Sequence, residues 1–164
     1  MNTPAPATLL EALAASPLAQ DLQPEHLPVL AARMTEERHP AGAVLAREGT
    51  SDTKLYVIVE GSLGVIKAHG TPDQALLVTL SVHDLVHELG FLDGIDRYAS
   101  LVARSPLRVL VLERDALESL VDAQPRLAWG VMRAIVRRVH SVQRQLSVQS
   151  SELTNYIVKQ HGRY

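Results

Sequence analysis

Hydrophobic positions change period along this chain, and the changes divide it into three parts. In the first part, Leu9, Leu10 and Leu13 share one face of a short helix, and Leu27, Leu30, Ala31 and Met34 recur at helical spacing in a second. Thr8 is placed to cap the first helix, with Glu11 at the positive end of its dipole. Pro17 ends that helix or begins the next turn, and Pro24 suits the opening turn of the second, where its missing N–H costs nothing. From Glu36 the period shortens. Strands are predicted at 44–46, 55–60, 63–67, 75–80, 100–103 and 108–113. Turns at Pro40-Ala41-Gly42, 48–52, Gly61-Ser62, 81–84 and Ser105-Pro106, with a polar loop at 68–74, separate them. Short strands at intervals of about ten residues point to an antiparallel sandwich or barrel.

The third part is helical again. Residues 114–121 read as a short helix stopped near Pro125, and a long helix begins around Leu127. Along it Ile135, Val139, Val142, Leu146, Gln149, Leu153 and Tyr156 alternate at four- and three-residue steps, a narrow seam of coiled-coil type. Arg133, Arg137, Arg138, Gln143 and Arg144 are expected to point away from it. The seam predicts a homodimer paired through residues 131–157; the other reading packs the helix against its own body.

Composition narrows the function. The 164 residues suffice for one folded body, organised as a loose N-terminus 1–7, a strand-rich body with its N-terminal helices 8–125, and the long helix 126–164. Aromatics make up 4%, so the core must come from Leu, Val and Ala. Cysteine is absent, which excludes disulfides, thiolate metal sites and a cysteine nucleophile. The net charge of −2 gives no global attraction to nucleic acid or anionic membrane. Residues 126–164 carry seven Lys/Arg against one acid, or +6, which reads as the solvated face of a helix; sequence-specific DNA binding by this chain alone is not expected. Residues 1–7 do not have the form of a secretory signal and no stretch suits a membrane span, so the expected location is the cytoplasm.

The chemistry concentrates in residues 83–100, where an apolar strand leads into a compact turn bearing one acid early and one base late. Glu88 can accept hydrogen bonds from sugar hydroxyls, and Arg97 offers a fork for phosphate oxygens. Leu89, Gly90 and Phe91 are expected to start a helical turn whose free N–H groups attract an anion. No nucleophile–base pair or paired carboxylates accompany them, so the stretch reads as a receptor site and not an enzyme centre.

Glu88-Leu89-Gly90 followed by Arg97-Tyr98-Ala99 resembles the phosphate-binding cassette of cyclic-nucleotide-binding domains in catabolite-activator-like bacterial regulators. The run from Pro40-Ala41-Gly42 through Glu48-Gly49 to Leu55-Tyr56-Val57-Ile58 and Gly61 resembles that family's β-roll signature. The resemblance implies a mainly β fold with flanking helices: a jelly-roll-like cyclic-nucleotide-binding β-roll followed by a C-terminal dimerisation helix. It implies that Glu88 holds a ribose hydroxyl and Arg97 a cyclic phosphate. Asp84, Leu89 and Ala99 also match, but His83 and His87 stand where the family has glycines, and Tyr98 replaces a Ser or Thr. His87 is expected to add bulk beside the ligand, and Tyr98 not to copy a serine's contact. Val142 and Gln143 take the positions that read the purine edge, and Val142 has no hydrogen-bonding side chain, so base choice stays open. The family's transcription factors continue into a helix-turn-helix domain, for which Tyr164 leaves no room.

Ligand-binding residues are therefore expected among His87, Glu88, Leu89, Gly90, Arg97, Tyr98, Ala99, Val142 and Gln143, with no cofactor. The first functional reading is a regulatory module that binds a cyclic nucleotide such as cyclic AMP and signals through a dimer helix to a protein partner. The second is a degenerate dimeric scaffold. A third, a haem or metal sensor, rests on His83 and His87 and on analogy with relatives of this fold.

Overall fold

The computed structural model describes residues 8–161, and side chains within them up to Arg144. Helix α1 (Leu9–Ala14) opens on a capping box: the Thr8 hydroxyl accepts from Glu11 N–H and the Glu11 carboxylate accepts from Thr8 N–H. A 3₁₀ turn (Pro17–Asp21) with Pro at its first position follows, then α2 (His26–Ala31). Pro24 lies two residues ahead of α2 and not in its first turn.

Two four-stranded antiparallel sheets form the body. β1 (Met34–His39), β8 (Leu107–Glu113), β3 (Lys54–Glu60) and β6 (Leu85–Val86) make one, in that order. β2 (Val44–Ala46), β7 (Ser100–Ala103), β4 (Leu63–Lys67) and β5 (Ala75–Leu80) make the other. The central pair β3 and β8 explains the architecture. Leu55, Val57, Leu110 and Leu112 join a core shared with the helices, while Tyr56, Ile58, Val109 and Val111 join a second core between the sheets. Strands buried on both faces need apolar residues at successive positions, and both have them. The expected mainly β roll with flanking helices is the fold observed.

β1 and β6 were not expected. β1 is mostly polar, and its charges are used across strands: Glu36 pairs with Arg108 (2.7 Å) and Glu37 with Lys54 (2.7 Å). Pairing with β8 outweighs the lack of an apolar period, and Met34, read as the last helical residue, instead opens this strand against Leu112. β6 is two residues long, too short for any period to show.

Helix α3 (Glu88–Asp93) follows β6 directly. His87 at its start has φ 70° and His83 has φ 74°, so both keep the left-handed backbone that a glycine would adopt freely. After β8 come α4 (Arg114–Ala123) and α5 (Pro125–His161), with Pro at the first position of α5. Leu127, Ala128, Val131, Ala134 and Ile135 lie in the chain's own core. Ile135 is thus not free to begin an intermolecular seam. Val139 and Val142 are half-buried, and the side chains of Leu146, Gln149, Leu153 and Tyr156 lie outside those described. Residues 1–7, read as loose, also lie outside the described residues. Arg138 departs from expectation too: it turns inward and bonds Asp84 at 2.7 Å.

Gly90 shows how the start of α3 is packed. A Cβ at Gly90 would fall 2.1 Å from His87 Nε2, because the imidazole lies against the α3 backbone. Gly90→Ala is therefore expected to destabilise the protein by about 1–3 kcal/mol through overpacking. In a His87→Gly background most of that penalty should vanish. Urea denaturation of the four proteins of this cycle measures it; equal penalties in both backgrounds would show that the ring is not the obstacle.

Candidate functional site

A cavity of about 280 Å³ lies where the second sheet, the α3 turn and α5 meet. Its apolar wall is formed by Val65, Leu80 and Leu101 of the second sheet with Leu85 and Val86 of β6. His87, Glu88, Arg97, Tyr98 and Ala99 line it from the segment between β6 and β7, and Arg138 and Val142 close it from α5. Six of the nine expected residues thus share one cavity. Leu89 faces outward, Gly90 is packed under the His87 ring, and Gln143 lies exposed on α5; these three do not line it.

Arg97 anchors the polar end. Its side chain is 3% exposed, and its Nη2 donates to Asp52 Oδ2. The guanidinium carbon lies 5.9 Å from the centre of the Tyr56 ring. Its backbone is tied to the preceding turn: Arg97 N–H donates to Thr50 O at 2.9 Å, and Gly49 N–H donates to Arg97 O at 2.9 Å. Arg97 Nε is buried without a hydrogen-bond partner, so one donor of the fork is unspent.

Asp52 gathers three donors. Besides Arg97 it receives Lys54 N–H at 3.0 Å and faces His87 Nδ1 at 3.3 Å. Burial alone would raise its pKa, but the hydrogen bonds from His87, Arg97 and Lys54 hold the carboxyl well below the usual carboxylate range. Glu88 behaves oppositely. Burial pushes its carboxyl up, and its own backbone N–H and the neighbouring Arg138 and His87 side chains offset only part of that. Behind the cavity wall stands one firmly ionised carboxylate, Asp52, committed to Arg97; on the cavity itself stands Glu88, a more loosely held carboxylate able to accept hydroxyl donors.

His87 lines the wall instead of filling the space. Its side chain is 8% exposed, with Nδ1 3.2 Å from the Lys54 carbonyl and Nε2 against Gly90. Tyr98 is 72% exposed, and its ring lies beneath the Lys67 ammonium at 4.1 Å. Lys67 also donates to the Tyr98 carbonyl at 2.9 Å.

Three contributions escaped sequence reasoning. Asp52 belongs to a turn 45 residues before Arg97, and nothing local marks it as a partner. Arg138 was placed on the solvent face by helical period alone. The apolar wall from β4, β5 and β7 is continuous in space and scattered in sequence. The Arg137-Arg138 pair beside the seam was the signal in the sequence that could have pointed to a second cation at the cavity, besides Arg97.

Residues 36–124 match the family model of the cyclic nucleotide-binding domain. The chain is 24% identical over 137 residues to a CRP-like cAMP-activated global transcriptional regulator of Mycobacterium tuberculosis, covering 84% of this chain and 61% of the relative. It is 26% identical to the cyclic AMP receptor protein of Thermus thermophilus, covering 84% and 63%. The chain thus spans less than two thirds of the length of these curated relatives. Among solved structures, a cyclic nucleotide-binding domain from Methylobacillus flagellatus superposes with a TM-score of 0.73 at 27% identity, covering 84% of this chain and 77% of that one.

Proposed function

The chain belongs to the cyclic nucleotide-binding domain family, and we propose that its cavity is a regulatory receptor site for a cyclic nucleotide of the cyclic AMP kind. The observation that carries this reading is the joint presence of Glu88 and the buried Arg97, with its unspent Nε, on one apolar cavity. The fork supplies the phosphate contact, the carboxylate accepts the ribose hydroxyl, and Val65, Leu80 and Val142 provide an apolar seat for a base. The seat supplies no side-chain donor or acceptor from these three residues, so purine choice would rest on backbone groups or shape.

Transmission follows from what α5 contributes. Arg138 and Val142 line the same cavity as the α3 turn, so a ligand there touches the helix and the turn together. Arg138 is bonded to Asp84, just ahead of β6, and the phosphate of a ligand in the same cavity adds a negative charge to those Arg138 faces. A homodimer through 131–157 would carry the shift to a protein partner. Its support is a face of α5 other than the expected seam, beginning just ahead of residue 131, where Trp129 (61%) and Val136 (49%) are exposed at helical spacing beside the half-buried Met132. One observation favours the scaffold alternative: Asp52 already occupies part of the Arg97 fork.

Calorimetric titration with cyclic AMP and cyclic GMP separates the two. The receptor reading expects saturable heat and a loss of about tenfold or more in Arg97→Gln, the worth of one charge-assisted contact of about 1.5–3 kcal/mol. No heat from either nucleotide would leave the scaffold. Assembly is checked by sedimentation: the parent should be a dimer at micromolar concentration and Trp129→Glu/Val136→Glu a folded monomer. A monomeric parent would remove the dimer from the account.

A further inference from the structure

The Asp52 carboxylate is shared between two cavity residues, and its sharing gives the site a proton dependence. One oxygen takes Arg97 Nη2, and the other lies 3.3 Å from His87 Nδ1. Nδ1 also lies 3.2 Å from the Lys54 carbonyl. Both neighbours are acceptors, so Nδ1 carries a hydrogen whatever the charge of the ring, and the titrating nitrogen is Nε2. Nε2 is buried without a partner over Gly90.

We propose that His87 is a proton-operated positioning residue: its protonated ring takes over the Asp52 carboxylate and so releases the Arg97 fork to a ligand phosphate. This rests on the receptor reading above. With a neutral ring, a phosphate that draws Arg97 away leaves the partly exposed Asp52 without its closest counter-charge, which is disfavoured. With a protonated ring, Asp52 stays compensated while Arg97 turns to the ligand. Ligand binding and proton uptake at His87 are therefore linked, and by reciprocity affinity rises as the ring takes up its proton.

The surrounding charges permit such a titration. Asp52 faces the ring from the turn before β3, and Glu88 adjoins it on α3. Arg97 and Arg138 line the same cavity, with Asp84 bonded to Arg138. On β3 the Lys54 ammonium is bonded to Glu37, with Glu113 also acting on it, and the Tyr56 phenol, whose pKa burial pushes up, stays neutral. From α4, Arg114 donates to the Gly90 and Phe91 carbonyls. Carboxylates and guanidiniums are interleaved, so no single sign excludes a charged ring.

The test uses cyclic AMP as the probe, titrated between pH 6 and 8 into the parent and His87→Asn. Asparagine keeps an N–H donor at the Nδ1 position and tolerates the left-handed backbone, but does not titrate. The parent should bind about threefold to tenfold more tightly at pH 6 than at pH 8, inside the roughly hundredfold limit that one fully linked proton sets over two pH units. His87→Asn should be flat. A flat parent, or a variant with the parent's profile, would overturn the proposal. A second readout needs no ligand: the Arg97 Nε–H resonance of the free protein should follow the His87 titration, and lose that dependence in Asp52→Asn. Absence of binding in both proteins would sink the receptor reading alone, and an Arg97 resonance indifferent to pH would then overturn this one.

Discussion

A guanidinium withdrawn from water must be compensated, and the neighbourhood of the cavity is arranged around that requirement. Arg97 is almost fully buried, and Asp52 supplies its counter-charge. Asp52 reaches it because the turn carrying it is held to the cassette by two backbone hydrogen bonds, through Thr50 and Gly49. The other side of the same carboxylate meets His87, whose ring lies against Gly90 and so limits what residue can stand there. A single ion pair thus ties the approach to β3, the start of α3 and the segment before β7. Removing Asp52 would leave the buried guanidinium without its counter-charge, a cost that bears on all three segments.

The roll makes that burial possible. β3 and β8 are enclosed on one face by the helices and on the other by the second sheet, so the turn leading into β3 starts from a rigid base. β6 pairs with β3 through Tyr56↔Val86 and Val57↔Leu85, which brings the cassette alongside that turn. Two ladder pairs suffice, since Leu85 and Val86 are themselves buried, one in each core. The left-handed backbones of His83 and His87 lie on either side of this short strand. They preserve the path that glycine would allow at a conformational cost of roughly 1–2 kcal/mol each.

The strand-rich body was legible in the sequence because its turns carry Gly and Pro and its strands are apolar at successive positions. β1 was not, because its polar residues are satisfied by partners on other strands. The acid and base of the cavity were legible as a motif, and their companions were not. Asp52 is one acid in a polar turn, and its role comes from a tertiary approach that no local pattern encodes. His87 was read as bulk against the ligand because only its position was visible. The side chain instead turns toward the Lys54 carbonyl and Gly90, a choice set by acceptors distant in sequence. Helical period misplaced Ile135 and Arg138 for a related reason. It assigns residues to faces, but the neighbour that covers each face is set by the rest of the fold.

That last point bears on how one helix can serve two surfaces. The first three turns of α5 are fastened to the roll by Leu127, Val131 and Ile135, and Arg133 and Arg137 reach back to Asp21 on the 3₁₀ turn. Trp129 and Val136 project from the other side, free of the roll. Beyond Ile135 the attachment changes character: Arg138 is held by Asp84, and Val142 stands at the cavity wall. The helix is therefore anchored by apolar packing at its start and by a polar contact beside the cavity further along. A change in charge at Glu88 acts on the second region with little leverage on the first, because apolar packing does not respond to charge. The helix has a start held by apolar packing and a later stretch held by a polar contact, and the boundary between them lies between Ile135 and Arg138.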